Sequence, residues 1–306
     1  MRIISAVLCV ICVLPLLWLV AAWIIPLSDT TQHAWQHVSS VMLPQYSYNT
    51  LLLALGVAIF AGVVGITCAW IVSFYRFPGR RFYTWALALP LAMPVYIMAY
   101  LYGSLTDYAT PLPFSLPSVR NLPGAIVVMG LATMPYVYLL SRAAFMTQPL
   151  AWREVSHSLG YHNWQYFYRI ALPAARPFWA LGITLAVMET IADIGAVHIL
   201  GVPTIASGVW RSWFFLGEPI VAARLAFLLL IAVAFVLIME RLERAQVRYA
   251  HHARNDKYIE RPRGLFAWAI SACCAFPLLL GFVVPVAYLM WLNYFRPDAL
   301  NWARLF

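Results

Sequence analysis

The chain has 306 residues, 63% of them hydrophobic and only 10% charged, with a formal net charge of +9 and a mean hydropathy of +0.78. A soluble domain carries about a quarter charged residues, so the composition excludes that class and describes a polytopic membrane protein. The positive charge is confined to particular loops, as the positive-inside rule requires, which makes it a topology signal and argues against nucleic acid as a partner.

Ile3 to Ile25 is apolar, follows Arg2 and lacks a small-residue cleavage site before Pro26. It reads as a retained first span, with the N-terminus cytoplasmic. Pro26 to Tyr48 has no Lys or Arg and reads as an outer connection; its His33 and His37 sit at i, i+4, a spacing more often found in a solvated pair than in a metal site, which needs further ligands. Asn49 to Phe74 reads as the second span, with Gly56, Gly62 and Gly65 offering close helix approach. Arg76, Arg80 and Arg81 place the next loop inside. The third span, Phe82 to Leu105, is interrupted by Pro90 and Pro94. Each Pro deletes a backbone hydrogen bond, which marks either a kinked packing helix or a broken span beside a translocation path. Tyr96, Tyr100 and Tyr102 then line that path or join the interfacial aromatic belt.

A Pro-rich outer connection, Thr106 to Asn121, leads to the fourth span, Leu122 to Phe145. The fifth span, Phe178 to Leu200, contains METIADIGAVHILGVPT. Glu189 and Asp193 are spaced i, i+4, so a continuous helix presents both carboxylates on one face. An ionisable group at this depth costs about 3 kcal/mol. The pair therefore either serves a passing cation or a gate, or fixes packing by pairing with Arg211 or Arg224. Gly201 to Pro219, with Trp210 and Trp213, reads as an outer interfacial stretch where a binding protein can dock.

Ile220 to Met239 is the sixth span, and the basic segment Glu240 to Gly264 follows as a cytoplasmic linker. Leu265 to Leu292 is a seventh span with an outer tail. On this topology about fifteen of the twenty Lys and Arg lie inside. The five Cys (Cys9, Cys12, Cys68, Cys273 and Cys274) all fall in apolar runs, which argues against a disulfide framework or zinc site. The fold expected is all-α, a bundle of about seven membrane helices. Residues 1–264 form a six-span unit, and residues 265–306 form the opening of a second, incomplete unit.

Between the fourth and fifth spans stands REVSHSLGYHNWQYFYRIALP, Arg153 to Pro173. Glu154 begins a short amphipathic helix, Gly160 supplies its left-handed end, and Pro173 opens the next helix. The spacing of Glu154, Gly160, Ile170, Leu172 and Pro173 resembles the EAA loop of permease subunits in ATP-binding-cassette importers, with Val155 and Ser156 where the family has two Ala. The resemblance implies that the loop, residues 150–173, is a coupling helix docking on an ATPase subunit, in two copies per importer. It also implies an extracytoplasmic substrate-binding protein, a second permease half or copy, and a bacterial inner-membrane location.

LPLAMPVYIMAYLYGSLTDYA, ETIADIGAVHILGVPT and SGVWRSWF resemble stretches of the ferric-iron branch, whose permeases fuse two halves. That likeness implies ferric iron as the transported substrate, with related branches carrying thiamine, polyamines, sulfate or phosphonates. Lys257 is the sole Lys, and no GxxxxGK[ST] loop precedes it, so ATP is used by a partner and no cofactor is expected on this chain. A passive channel would not need the coupling motif. An intramembrane enzyme would need a nucleophile and base, or a ligand set such as HExxH, that the sequence lacks.

Overall fold

A computed structural model describes residues 2–107, 117–244, 262 and 264–295. The arginines and the lysine of the basic linker from Arg248 to Arg263, the tail bearing Arg296 and Arg304, and the middle of the Pro-rich connection lie outside the described residues. Among the described residues the protein is all helix, with no strand.

Helix α1 covers Arg2–Ile24. Helix α2 runs unbroken over Asp29–Phe74, so much of the stretch read as an outer connection extends the second span. Ser28 caps it through the Thr31 amide, and a π-turn over Val38–Met42 takes up one extra residue. Helices α3 (Arg80–Ala86) and α4 (Val95–Asp107) form the third span. Helix α5 covers Leu122–Thr147. Helix α6, Leu150–Ser158, and helix α7, Asn163–Ala174, make the loop after it. Helices α8 (Arg176–Ala192) and α9 (Ile194–Ile199) form the fifth span. Helix α10 is Ile205–Phe214, α11 is Pro219–Arg244, and α12 is Leu265–Tyr294.

Four helices, α2, α5, α11 and α12, are long and apolar enough to cross a membrane. Counting each bent pair, Arg80–Ala92 with Val95–Thr106 and Asn163–Ala174 with Arg176–Ala192, as one span gives six. The apolar α1 stands beside these as the first of the segments read from sequence.

The bundle is assembled on α5, which packs chiefly against α2 and α8. With no hydrophobic drive between helices in lipid, close backbone approach must hold them together. Gly65 and Gly182 supply it from opposite sides of one residue: a Cβ at Gly65 would meet the Val137 side chain at 2.8 Å, and one at Gly182 would meet the Val137 backbone at 2.6 Å. Gly56 and Gly62 likewise face Ile126 and Ile183, so the small faces of the second span are used as the sequence suggests. Tyr138, fully buried in this seam, satisfies its hydroxyl by donating to the Thr84 carbonyl at 2.9 Å.

At the end of the bundle that carries α10, Arg224 resolves a question left by the sequence. Its Nε donates to the Ala22 carbonyl at 2.9 Å, and its guanidinium lies 5.3 Å and 5.1 Å from the rings of Trp23 and Trp35. This arginine fastens α1 and α2 to α11, away from the carboxylates of the fifth span.

Candidate translocation path and coupling loop

Spans three and five both break. In span three the short 3₁₀ turn Leu89–Ala92 follows α3, Met93 is extended, and α4 leaves at 88° to the first half. Pro90 and Pro94 bracket this break, as their missing donors require. Pro90 is buried and lies against Gly281 of α12, where an added Cβ would approach it to 3.0 Å. Tyr102 turns to the same helix and donates its hydroxyl to the Leu280 carbonyl, and Ser104 meets the Tyr288 hydroxyl at 3.1 Å. Tyr102 thus braces the third span on α12. Tyr96 and Tyr100, by contrast, are exposed.

Span five is not the continuous helix expected of it. Helix α8 stops at Ala192, Asp193 adopts φ −78° and ψ 105°, and its Oδ1 accepts from the Ala196 amide at 2.8 Å to cap α9. A carboxylate at the residue before a helix satisfies an orphan amide and complements the helix dipole. The i, i+4 face predicted for Glu189 and Asp193 is therefore broken at its second member. Glu189 stays on α8, exposed, and accepts from the Tyr136 hydroxyl at 3.3 Å.

The two breaks meet. Helix α9 packs on α4, and a Cβ at Gly195 would lie 3.0 Å from that of Tyr96. Pro94, Tyr96, Asp193 and Glu189 are gathered into one region, with Tyr136 added by the structure. Among the described residues no three His, Cys, Asp or Glu side chains converge on a metal position. His33 and His37 are both exposed on α2, as a solvated pair would be. His198 and Arg211 instead border an open cavity of about 440 Å³ between α9 and α10.

The loop at the opposite end is built from α6 and α7. Gly160 has φ +79°. Its amide donates to His157 O and the Tyr161 amide to Ser156 O, both at 2.9 Å, a Schellman termination that needs a left-handed residue. The amphipathic helix starts at Leu150, a turn earlier than Glu154. Glu154, Val155 and Leu159 project outward, and Arg153 and Ser156 are buried.

Pro173 does not open the next helix; it lies in the last turn of α7. There a π-turn over Phe167–Ala171 widens the helix where a proline ring would otherwise press on the carbonyl four residues back. The chain bends by 72° after Ala174, and Trp179 Nε1 meets the Leu172 carbonyl at 3.0 Å. Ile170 and Leu172 pack on the core below. Sequence reading passed over two tethers. Gln148, buried, donates to Ala171 O at 2.8 Å, and Arg153 reaches beneath α6. Neither is signalled by hydropathy, which scores both as loop polars.

Residues 61–248 match the family model of the binding-protein-dependent transport system inner membrane component. The chain belongs to this family. It is similar to the sulfate transport system permease protein CysT of Escherichia coli (strain K12), 28% identical over 195 residues, or 62% of this chain and 69% of that protein. CysT of Salmonella typhimurium is 31% identical over 195 residues, again 62% of this chain and 69% of that protein. The Fe(3+)-transport system permease protein FbpB 2 of Haemophilus influenzae is 28% identical over 214 residues, covering 70% of this chain and 40% of that longer protein.

Among solved structures, a bacterial ABC transporter involved in the import of the acidic polysaccharide alginate aligns with TM-score 0.61 and 18% identity, over 81% of this chain and 96% of that one. The MetNI methionine ABC transporter aligns with TM-score 0.57 and 18% identity, over 68% and 98%. These likenesses concern the fold alone. The family match, not the fold, makes the protein the inner membrane component of a binding-protein-dependent transport system. Both broken spans and the α6–α7 loop fall inside the matched residues, whereas α1 and α12 fall outside them.

Proposed function

We propose that this permease moves ferric iron, handed over by a periplasmic binding protein, into the cytoplasm. The N-terminus and the α6 end of the bundle face the cytoplasm. ATP is hydrolysed on two separate ATPase subunits that receive α6, with Glu154, Val155 and Leu159 outward and Gly160 fixing the helix end. A second permease half or copy completes the path, and the cycle alternates access between the two sides.

The observation that carries the substrate reading is the junction of the two breaks. The groups brought there are the carboxylate of Asp193 and the ring of Tyr96, with Glu189 one turn back on α8 and the Tyr136 hydroxyl against it. Hard oxygen donors of net negative charge favour a hard cation such as Fe³⁺ and disfavour an oxyanion. Likeness to the iron permease supports the same reading. Sulfate is the second reading, favoured by the similarity to CysT. Thiamine, polyamines and phosphonates rank below both.

The test is ATP-dependent uptake of radioactive ferric iron and of radioactive sulfate, side by side, in cells lacking their own importers and supplied with the ATPase and binding protein. Iron uptake that falls in a Glu189→Ala/Asp193→Asn variant is the expected result. Sulfate uptake without iron uptake overturns the iron reading in favour of the second.

A further inference from the structure

Arg153 is one of two charged side chains buried among the described residues, 2% exposed, and it belongs to the helix whose outer face is open. Its Nη2 donates to Asn163 Oδ1 at 3.2 Å, and its guanidinium carbon lies 5.6 Å from the centre of the Phe74 ring. Phe74 is the last residue of α2. Its ring rests on Trp70 at 3.9 Å, and on Phe145 of α5 and Tyr166 of α7 at 5.9 Å and 6.0 Å. One side chain therefore joins α6 to the end of the second span and to the start of α7, and Phe74 carries the contact on to the fourth span. Helix α7 in turn leads through the 72° bend into α8, which carries Glu189 and ends at Asp193.

The choice of residue is informative. An alkyl side chain would fill an aromatic floor without desolvating a charge, so packing alone does not call for arginine. A planar guanidinium does what an alkyl chain or an ammonium does not: it lies against a ring while holding a hydrogen bond in its own plane, which fixes an angle as well as a distance. We infer that Arg153 is a positioning residue that sets the attitude of α6 and relays its displacement to α2 and α7. The inference rests on the proposed reading of α6 as the ATPase contact, and concerns how that contact is transmitted.

The experiment uses the full complex with its ATPase and binding protein in vesicles, reading solute transported per ATP hydrolysed. In Arg153→Met the ATPase still co-purifies, while stimulation by loaded binding protein and solute per ATP fall about tenfold, within the range found for residues between coupled sites. Arg153→Lys keeps the charge without the planar fork and falls between the two. Phe74→Leu shifts the ratio in the same direction, and the double variant is no worse than Arg153→Met, because both remove one contact. A merely structural role lowers the yield of complex and leaves the ratio untouched.

An unchanged ratio in every variant overturns the inference. Should Arg153→Met fail to assemble, Arg153→Lys and Asn163→Ala decide the matter by the same ratio. Val155, 58% exposed on the outer face of α6, separates the two levels when replaced by Cys for cross-linking to the ATPase. A cross-link together with unchanged ratios sinks the role of Arg153 alone. No cross-link in an otherwise active complex sinks the ATPase contact, and the relay with it.

Discussion

Spans three and five break side by side and by different means. In span three two prolines stand at the break: Pro90 and Pro94 have no amide to donate, and the chain turns there by 88°. In span five no proline stands at the break. Asp193 leaves the helix because its carboxylate serves better as a cap, accepting from Ala196 at 2.8 Å, than as an uncompensated charge on a membrane helix. The first break is marked by prolines, whereas the second is held by one side chain that is also a candidate ligand of the path.

The comparison is broken most forcefully by removing the prolines. With Pro90→Ala and Pro94→Ala together, each freed of a penalty of about 3 kcal/mol in a helix interior, Arg80 to Thr106 can run on as one helix and carry Tyr96 away from Gly195. Uptake is expected to fall by more than about tenfold, equivalent to ~1.4 kcal/mol, with the protein still inserted in the membrane. Unchanged uptake would mean that packing on α12, where Pro90 meets Gly281, holds the turn without the prolines.

Span five calls for a subtler pair of variants. Asp193→Ala removes both charge and cap, and loss of an N-cap costs about 1 kcal/mol. Asp193→Asn keeps an oxygen that caps nearly as well and removes only the charge. Thermal unfolding of the purified permease should therefore distinguish Ala from wild type and leave Asn close to it, while iron uptake falls several-fold in both. Full uptake in Asn with loss in Ala would leave Asp193 a structural cap and remove it from the path.

These contrasts also show what could be read from the chain alone. The proline break, the Gly160 terminus and the glycine seams were legible because each follows from a property of the residue itself: a missing amide, a tolerated positive φ, a missing Cβ. The Asp193 break was not, because the same i, i+4 spacing describes a carboxylate pair on a helix and a carboxylate capping the next one. Only the surroundings choose. Pro173 was misplaced for a related reason, since a π-turn that absorbs a proline leaves no mark in composition. Arg153 and Arg224 were read as loop and span charges, although each is seated on aromatic rings contributed by residues distant in sequence. Contacts of that kind depend on which helices meet, and periodicity along one helix does not contain that information.

The smallest effects are expected at the contact between Glu189 and Tyr136, and they sharpen the assignment of charge to span five. The hydroxyl of Tyr136 donates to Glu189 at 3.3 Å in an exposed position, long for an O–H···O bond. Its net worth falls at the low end of the usual range, about 0.5 kcal/mol. Tyr136→Phe should accordingly change stability by no more than about that amount and leave iron uptake within about twofold of wild type. Glu189→Gln keeps an acceptor for the same hydroxyl and removes the negative charge that would attract a cation, so it should lower uptake further than Tyr136→Phe while unfolding at the same temperature. If Tyr136→Phe instead lowers uptake while Glu189→Gln, which keeps the acceptor, leaves it unchanged, the hydrogen bond between α5 and α8 is what matters. Glu189 would then act by holding two spans in register, leaving Asp193 as the carboxylate of the pair that meets the solute.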